Sequence, residues 1–178
     1  HTRSIGVTGV QTCALPTFEE RDTRGFNTPH AQSVLALFDE LEYDLNDVRQ
    51  GKPVKPVFFT QLPRGINELE KINDRKKVFI QIVLPLVLSE NEEILQERKK
   101  ILFLSKTRKL TSSDEEWLNE KFKYYKVEKG DFELLLERAD IIPPSLAIAQ
   151  AAYESGWGTS RFALEGNSLF GQRTWKKN

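Results

Sequence analysis

The chain has 178 residues and a mass of 20.5 kDa, enough for one domain or one and a half. A folded chain of this size buries about 70% of the surface its unfolded form exposes, so a core needs neither disulfides nor metal. Its 26 Lys+Arg against 26 Asp+Glu give no net field, which removes the usual electrostatic case for a nucleic-acid partner and leaves only a local patch. One Cys and two His can build neither a zinc cage nor a disulfide framework, and no metal or cofactor is expected.

In chain order, the string VTGVQTCALP at residues 7–16 looks like one reading frame of a sequencing-library adapter. Residues 1–17 are therefore expected to be a read-through artefact or disordered, with no meaning attached to Cys13. Genomic codons for that string upstream of Phe18 would overturn this. From Pro29 to about Asp47, Val34, Leu35, Phe38, Leu41 and Leu45 recur at helical spacing and predict one amphipathic helix. His30 reads as a surface residue ahead of it.

Residues 51–64 carry Pro53, Pro56 and Pro63 around Val57-Phe58-Phe59, a breaker-rich connection with room for one short extended piece. From Asn67 to about Leu104 the pattern is helical again. Pro85 is expected to kink that helix or divide it, since it removes a backbone donor and clashes with the preceding turn. The strongest apolar run, Val78 to Leu88, contains Gln81 and falls far short of the roughly 20 residues a membrane span requires, so it reads as core. The charged run Asn91 to Lys100 reads as a solvated helix face. Lys52, Lys55, Lys99, Lys100 and Lys109 are the candidates for an anionic wall polymer, a partner the zero net charge argues against. In TSSDEEWLNEKFKYY, Ser112 or Ser113 is expected to cap a helix, with Glu115 or Glu116 completing a capping box. Leu118, Phe122 and Tyr125 supply its apolar stripe, with Trp117 beside it.

The last part carries the chemistry. Asp131 caps a short helix through Leu134, Leu135 and Leu136, and Ile141-Ile142-Pro143-Pro144 leads in extended form to a helix beginning near Ser145. SLAIAQAAYES is dense in strong helix formers and runs to about Ser155, where Gly156 and Gly158 stop it. Steps of about 100° per residue place Glu154 with Ala147, Gln150 and Ala151, while Leu146, Ala149 and Tyr153 form a neighbouring stripe. Trp157, just past the helix end, is expected to fold over the Glu154 carboxyl. An acid shielded by an aromatic ring holds its proton closer to neutrality, which is what a general acid requires. There is no P-loop, no dinucleotide-binding glycine pattern and no metal-ligand cluster.

The stretch PPSLAIAQAAYESGWGTSRFALEGNSLFG resembles the opening of the catalytic domain of glycoside hydrolase family 73, the bacterial peptidoglycan glucosaminidases with a lysozyme-like fold. The resemblance rests on A-x-x-ESGWG-x-S-x-x-A followed by GN-x-LFG and covers roughly residues 130 to 175. Upstream, the long helices and FFTQLPRG look like the N-terminal region of Bax-like bacterial envelope proteins. The implied fold class is mainly α: residues 18–128 an N-terminal helical region, and residues 129–178 the opening helices of a lysozyme-like domain. The resemblance makes Glu154 the acid that protonates the glycosidic oxygen. Gly156, Trp157 and Gly158 match the turn that holds it, and Asn167, Leu169, Phe170 and Gly171 the segment packing behind the cleft. Ser160 and Arg161 read as structural, Arg161 as a partner of Glu165, and Trp175 as a core or hinge residue, with a sugar-stacking ring as the alternative.

Cleaving a β-1,4 glycosidic bond needs a second group about 5 to 9.5 Å from the acid. Glu165 is the sole acid nearby downstream, and the family draws this help from a later β-rich lobe. The chain is therefore expected to stop short of the full catalytic domain and to lack hydrolytic activity by itself. The implied substrate is the glycan strand of peptidoglycan, and the implied location is the bacterial envelope, in the periplasm. Two other readings stand beside this one. A lytic transglycosylase shares the helix and single Glu, but the G-L-M-Q type segment it calls for is absent. A non-catalytic envelope binding or scaffold module would use Glu154 only to orient the loop.

Overall fold

In the computed structural model, which describes residues 29–170, the protein is mainly helical; among these residues there is no β-sheet, and the strand-like pairing is confined to isolated bridge residues, among them the parallel pair His30 and Arg64. The expectations for residues 1–17 and for Gly171 and Trp175 lie outside the described residues.

The helix expected from Pro29 to Asp47 is two helices, α1 (Ala31–Glu40) and α2 (Leu45–Arg49). The break between them turns Tyr43 into the core, where its ring meets Phe38 edge-on at 5.4 Å, and sets Glu42 in the left-handed region at φ 51°. Asp44 then accepts the Asn46 backbone N–H at 2.6 Å, satisfying a donor the new helix would otherwise leave orphaned. His30 is exposed, as expected, and lies 3.5 Å from Glu68. Residues 51–64 form the irregular connection that their prolines call for, followed by a single 3-10 turn at Ile66–Glu68.

The longest element is α3 (Ile72–Ser105), 34 residues that run unbroken through Pro85. Its sequence argues for a division there, yet Val78, Phe79, Ile82, Val83, Leu84, Pro85 and Leu88 are all buried. Apolar burial worth about 1.5–3 kcal/mol per large side chain outweighs the roughly 3 kcal/mol an interior proline costs. Next come α4 (Ser112–Tyr124), α5 (Phe132–Arg138), α6 (Pro144–Ser155) and α7 (Arg161–Gly166). The cap of α4 is Thr111, one residue earlier than expected. Its hydroxyl accepts the Asp114 N–H at 3.2 Å and donates to the Asp114 carboxylate at 2.7 Å, so an aspartate takes the place expected of a glutamate. Asp131 caps α5 as expected, accepting the Leu134 N–H at 3.0 Å.

Two hydrophobic cores lie along α3. The first gathers α1, the irregular connection, the N-terminal half of α3 and parts of α6 and α7. The second gathers Ile101 and Leu104 near the far end of α3 with Leu118, Phe122, Val127, Leu135 and Ala139. The packing thus crosses residue 129: α5 belongs to the second core, while α6 and α7 sit on the first.

Candidate active site

Helix α6 is fixed at both ends. At its start, Asn91, buried within α3, donates to the Ile142 carbonyl at 2.8 Å and accepts the Ile142 N–H at 3.1 Å. This reciprocal pair does for the extended lead-in what a neighbouring strand would do. Arg98 reinforces it one step earlier, donating to the carbonyls of Leu136 and Ala139 at the end of α5. Along its length, α6 lays Ala147, Ala151 and Ala152 against α3. Small side chains on that face let the two backbones approach closely.

Glu154 stands on the edge of that face. Of the residues sharing its face, Ala147 and Ala151 are buried, whereas Gln150 and Glu154 are exposed. The Gln150 side-chain amide donates to Glu154 Oε1 at 3.0 Å, which holds the carboxylate along the helix. The stripe beside it is left uncovered, with Leu146 59% and Tyr153 90% exposed. Glu154 thus shares a helix face with Ala147, Gln150 and Ala151, half of it turned to the core and half to solvent.

The covering ring is different. Trp157 does not lie over an occluded acid: its indole packs edge-on against the buried ring of Phe79 at 5.8 Å, with the Lys76 ammonium 5.0 Å from the ring centroid. The reason lies in the turn that follows α6, where Gly156, Trp157 and Gly158 take φ of 60°, 60° and 77°, three left-handed residues in a row. That conformation is open to glycine and opposed by a bulky side chain. The indole therefore gains core contact at the expense of backbone strain, and Glu154 is left facing solvent.

Ser155, which sequence reasoning passed over, pins the turn. It is buried, its hydroxyl donates to the Ala151 carbonyl at 2.6 Å and accepts the Gly158 N–H at 2.9 Å, and its own carbonyl accepts the Ser160 N–H. Its position inside ESGWG, between the acid and the first glycine, was the available signal. At Gly158 the backbone runs so close to the core that a Cβ would stand 3.1 Å from both Leu62 and Phe79. Space as well as φ demands glycine there.

Beyond the turn, Ser160 caps α7 by accepting the Ala163 N–H at 3.2 Å, and Arg161 lies 3.8 Å from Glu165. Both are the structural roles expected. Asn167 ends α7 at φ 48°, and its side chain donates to the Thr60 carbonyl at 2.8 Å, tying this segment to the irregular connection. Leu169 packs on the first core and Phe170 stands partly exposed. Glu154, Gly156, Trp157 and Gly158 therefore form one connected corner, with Asn167 and Phe170 on the return segment. Among the described residues, no group of His, Cys, Asp and Glu could hold a metal ion, and no helix is long and apolar enough to cross a membrane.

Comparison with known proteins agrees with the resemblance carried by ESGWG and GNSLFG. Residues 130–178 match the model of the family described as mannosyl-glycoprotein endo-beta-N-acetylglucosaminidase. The chain is also similar to Protein bax of Escherichia coli (strain K12), 38% identical over 108 residues that cover 57% of this chain and 39% of that protein. The chain thus spans about two-fifths of the length of the curated relative it matches. No solved structure matches.

Proposed function

We propose, from the premise that residues 130–178 carry the glucosaminidase family's pattern, that this segment is the acid-bearing part of an N-acetylglucosaminidase acting on the β-1,4 bonds of peptidoglycan in the bacterial envelope, on its periplasmic side. Glu154 is the general acid. The observation that carries the reading is the placement of this carboxylate in the last turn of a helix clamped at both ends, two residues before a strained, hydroxyl-pinned turn. Strained backbone of this kind persists only where surrounding structure over-determines it, and it concentrates at functional sites.

An oxocarbenium-like transition state needs a proton donor on the leaving oxygen and a second group to activate water or stabilise positive charge. Glu154 supplies the first. Its exposure means that the apolar cover needed to hold its proton comes from the bound sugar or from elsewhere in the complete protein, not from Trp157. Glu165 faces Arg161 and is assigned no catalytic role. The opening helices of a lysozyme-like fold are the proposed architecture, with the cleft bounded by the uncovered stripe of α6.

The test is product analysis of purified peptidoglycan treated with the full-length protein. Reducing N-acetylglucosamine ends are the expected result. Anhydro-sugar ends would replace the reading with a lytic transglycosylase, and the absence of cleavage would leave a binding or scaffold module.

A further inference from the structure

The chain is neutral as a whole, but its charge is unevenly placed. Between Arg98 and Ser113 every ionisable side chain is a cation: Arg98, Lys99, Lys100, Lys106, Arg108 and Lys109. Two of these have local work. Arg98 holds the end of α5, and Lys100 stacks 4.2 Å from the Trp117 ring centroid with Asp114 at 3.9 Å. The other four are exposed and make no ion pair among the described residues.

The same end of α3 presents apolar side chains to solvent. Ile101 and Leu104 point into the second core, whereas Leu102 and Phe103 on the opposite side are 43% and 70% exposed. Lys99, Leu102, Phe103 and Lys106 follow the i, i+3, i+4, i+7 spacing of one helical face, so two apolar side chains stand between two ammonium groups. The backbone beneath them is already satisfied: the Leu102 carbonyl accepts from the Ser105 hydroxyl at 2.9 Å and the Phe103 carbonyl from the Thr107 hydroxyl at 3.0 Å. A favourable helix dipole accounts for a cation in the last turn. It does not account for Lys99, or for an exposed phenyl ring between cations.

We propose that this tip of α3, with Arg108 and Lys109 in the loop after it, is a docking surface for an anionic lipid bilayer. The cations meet lipid phosphates while Phe103 and Leu102 enter the boundary between headgroups and acyl chains. Exposed apolar side chains between cations favour a surface with hydrocarbon below its charge over a soluble polyanion, which offers charge alone. The contact is peripheral and leaves α3 folded as it is. It would hold the protein at a membrane while the glycan site lies at the opposite end of the same helix, on the other core.

The test is co-sedimentation of the full chain with phosphatidylcholine vesicles, with and without phosphatidylglycerol. Binding is expected only with the anionic lipid, and it should weaken as salt shortens the screening length. Phe103→Ser should weaken it roughly tenfold, and Lys99→Glu combined with Lys106→Glu by roughly tenfold or more. Leu102→Ser, at a second exposed position, should act in the same direction, with helical circular dichroism unchanged throughout. Equal binding to neutral vesicles, or no binding to either, would overturn the proposal. So would capture by immobilised polyglutamate together with vesicle binding that Phe103→Ser and Leu102→Ser leave intact, which would mark a polyanion site instead.

Discussion

Gly156 and Gly158 share the left-handed backbone of the turn but differ in their surroundings. A Cβ at Gly156 would meet only the Thr159 hydroxyl at 3.3 Å, whereas at Gly158 it would press on Leu62 and Phe79, both buried. Alanine at either position strains φ by about 1–2 kcal/mol. Gly158→Ala is therefore expected to cost more than Gly156→Ala, by about 1 kcal/mol or more of added overpacking, in chemical denaturation. Equal losses would contradict the packing described. The need for both glycines was legible in ESGWG. The destination of the indole was not, because it depends on Phe79, a residue far away in sequence that only the folded chain brings near.

A second expectation at this scale concerns pH. Burial first, then the nearby Glu97 carboxylate and the hydrogen bond to it at 3.3 Å, push the Tyr125 hydroxyl up to about 12. Burial alone raises Tyr43. An unfolded tyrosine titrates near 10, so above that pH the unfolded chain gives up protons that the native protein keeps. The resulting stability is intact below about pH 10 and is lost as pH rises toward about 12. Denaturant midpoints followed across this window should fall less steeply in Tyr125→Phe than in the parent. Identical slopes would show that Tyr125 is not held neutral by its site.

At the scale of elements, periodicity gave the helices, and tertiary contacts set where they stop. The first predicted helix divides because Tyr43 is drawn into the core beside Phe38. The long helix survives Pro85 because the residues around it are buried. Neither outcome is a local property, so neither was readable from spacing or propensity. The clearest omission was Asn91, which looked like one polar residue in a charged run and proved to be the clamp on the approach to α6. Asn91→Ala breaks two hydrogen bonds and leaves Ile142 backbone groups unpaired in a part-buried position. A loss of about 2 kcal/mol is expected in urea denaturation, while Asn119→Ala at an exposed position of α4 should change little. If both substitutions are silent, the clamp contributes nothing.

For the whole molecule, the segment that carries the family pattern is not packed as a separate body. Its first helix belongs to one core and its next two to the other, with α3 spanning both. A peptide of residues 130–178 is therefore expected to be unfolded by circular dichroism, while the 178-residue chain is helical, with α3 packed in both cores. A folded peptide would contradict this. The order of the elements and the corner that carries Glu154 were legible in the sequence, because helix caps, glycines and motif lie within a few residues of one another. The two-core arrangement was not, since it depends on which face of α3 each distant helix meets.

The central claim is that the Glu154 carboxyl donates the proton that releases the sugar. It is tested most directly by turnover of peptidoglycan by the full-length protein and its Glu154→Gln variant, the two matched for helical content and thermal midpoint. Loss of a general acid should lower the rate about 10²–10⁴-fold with glycan binding retained. A Glu154→Gln protein that cleaves at the parental rate would contradict the account.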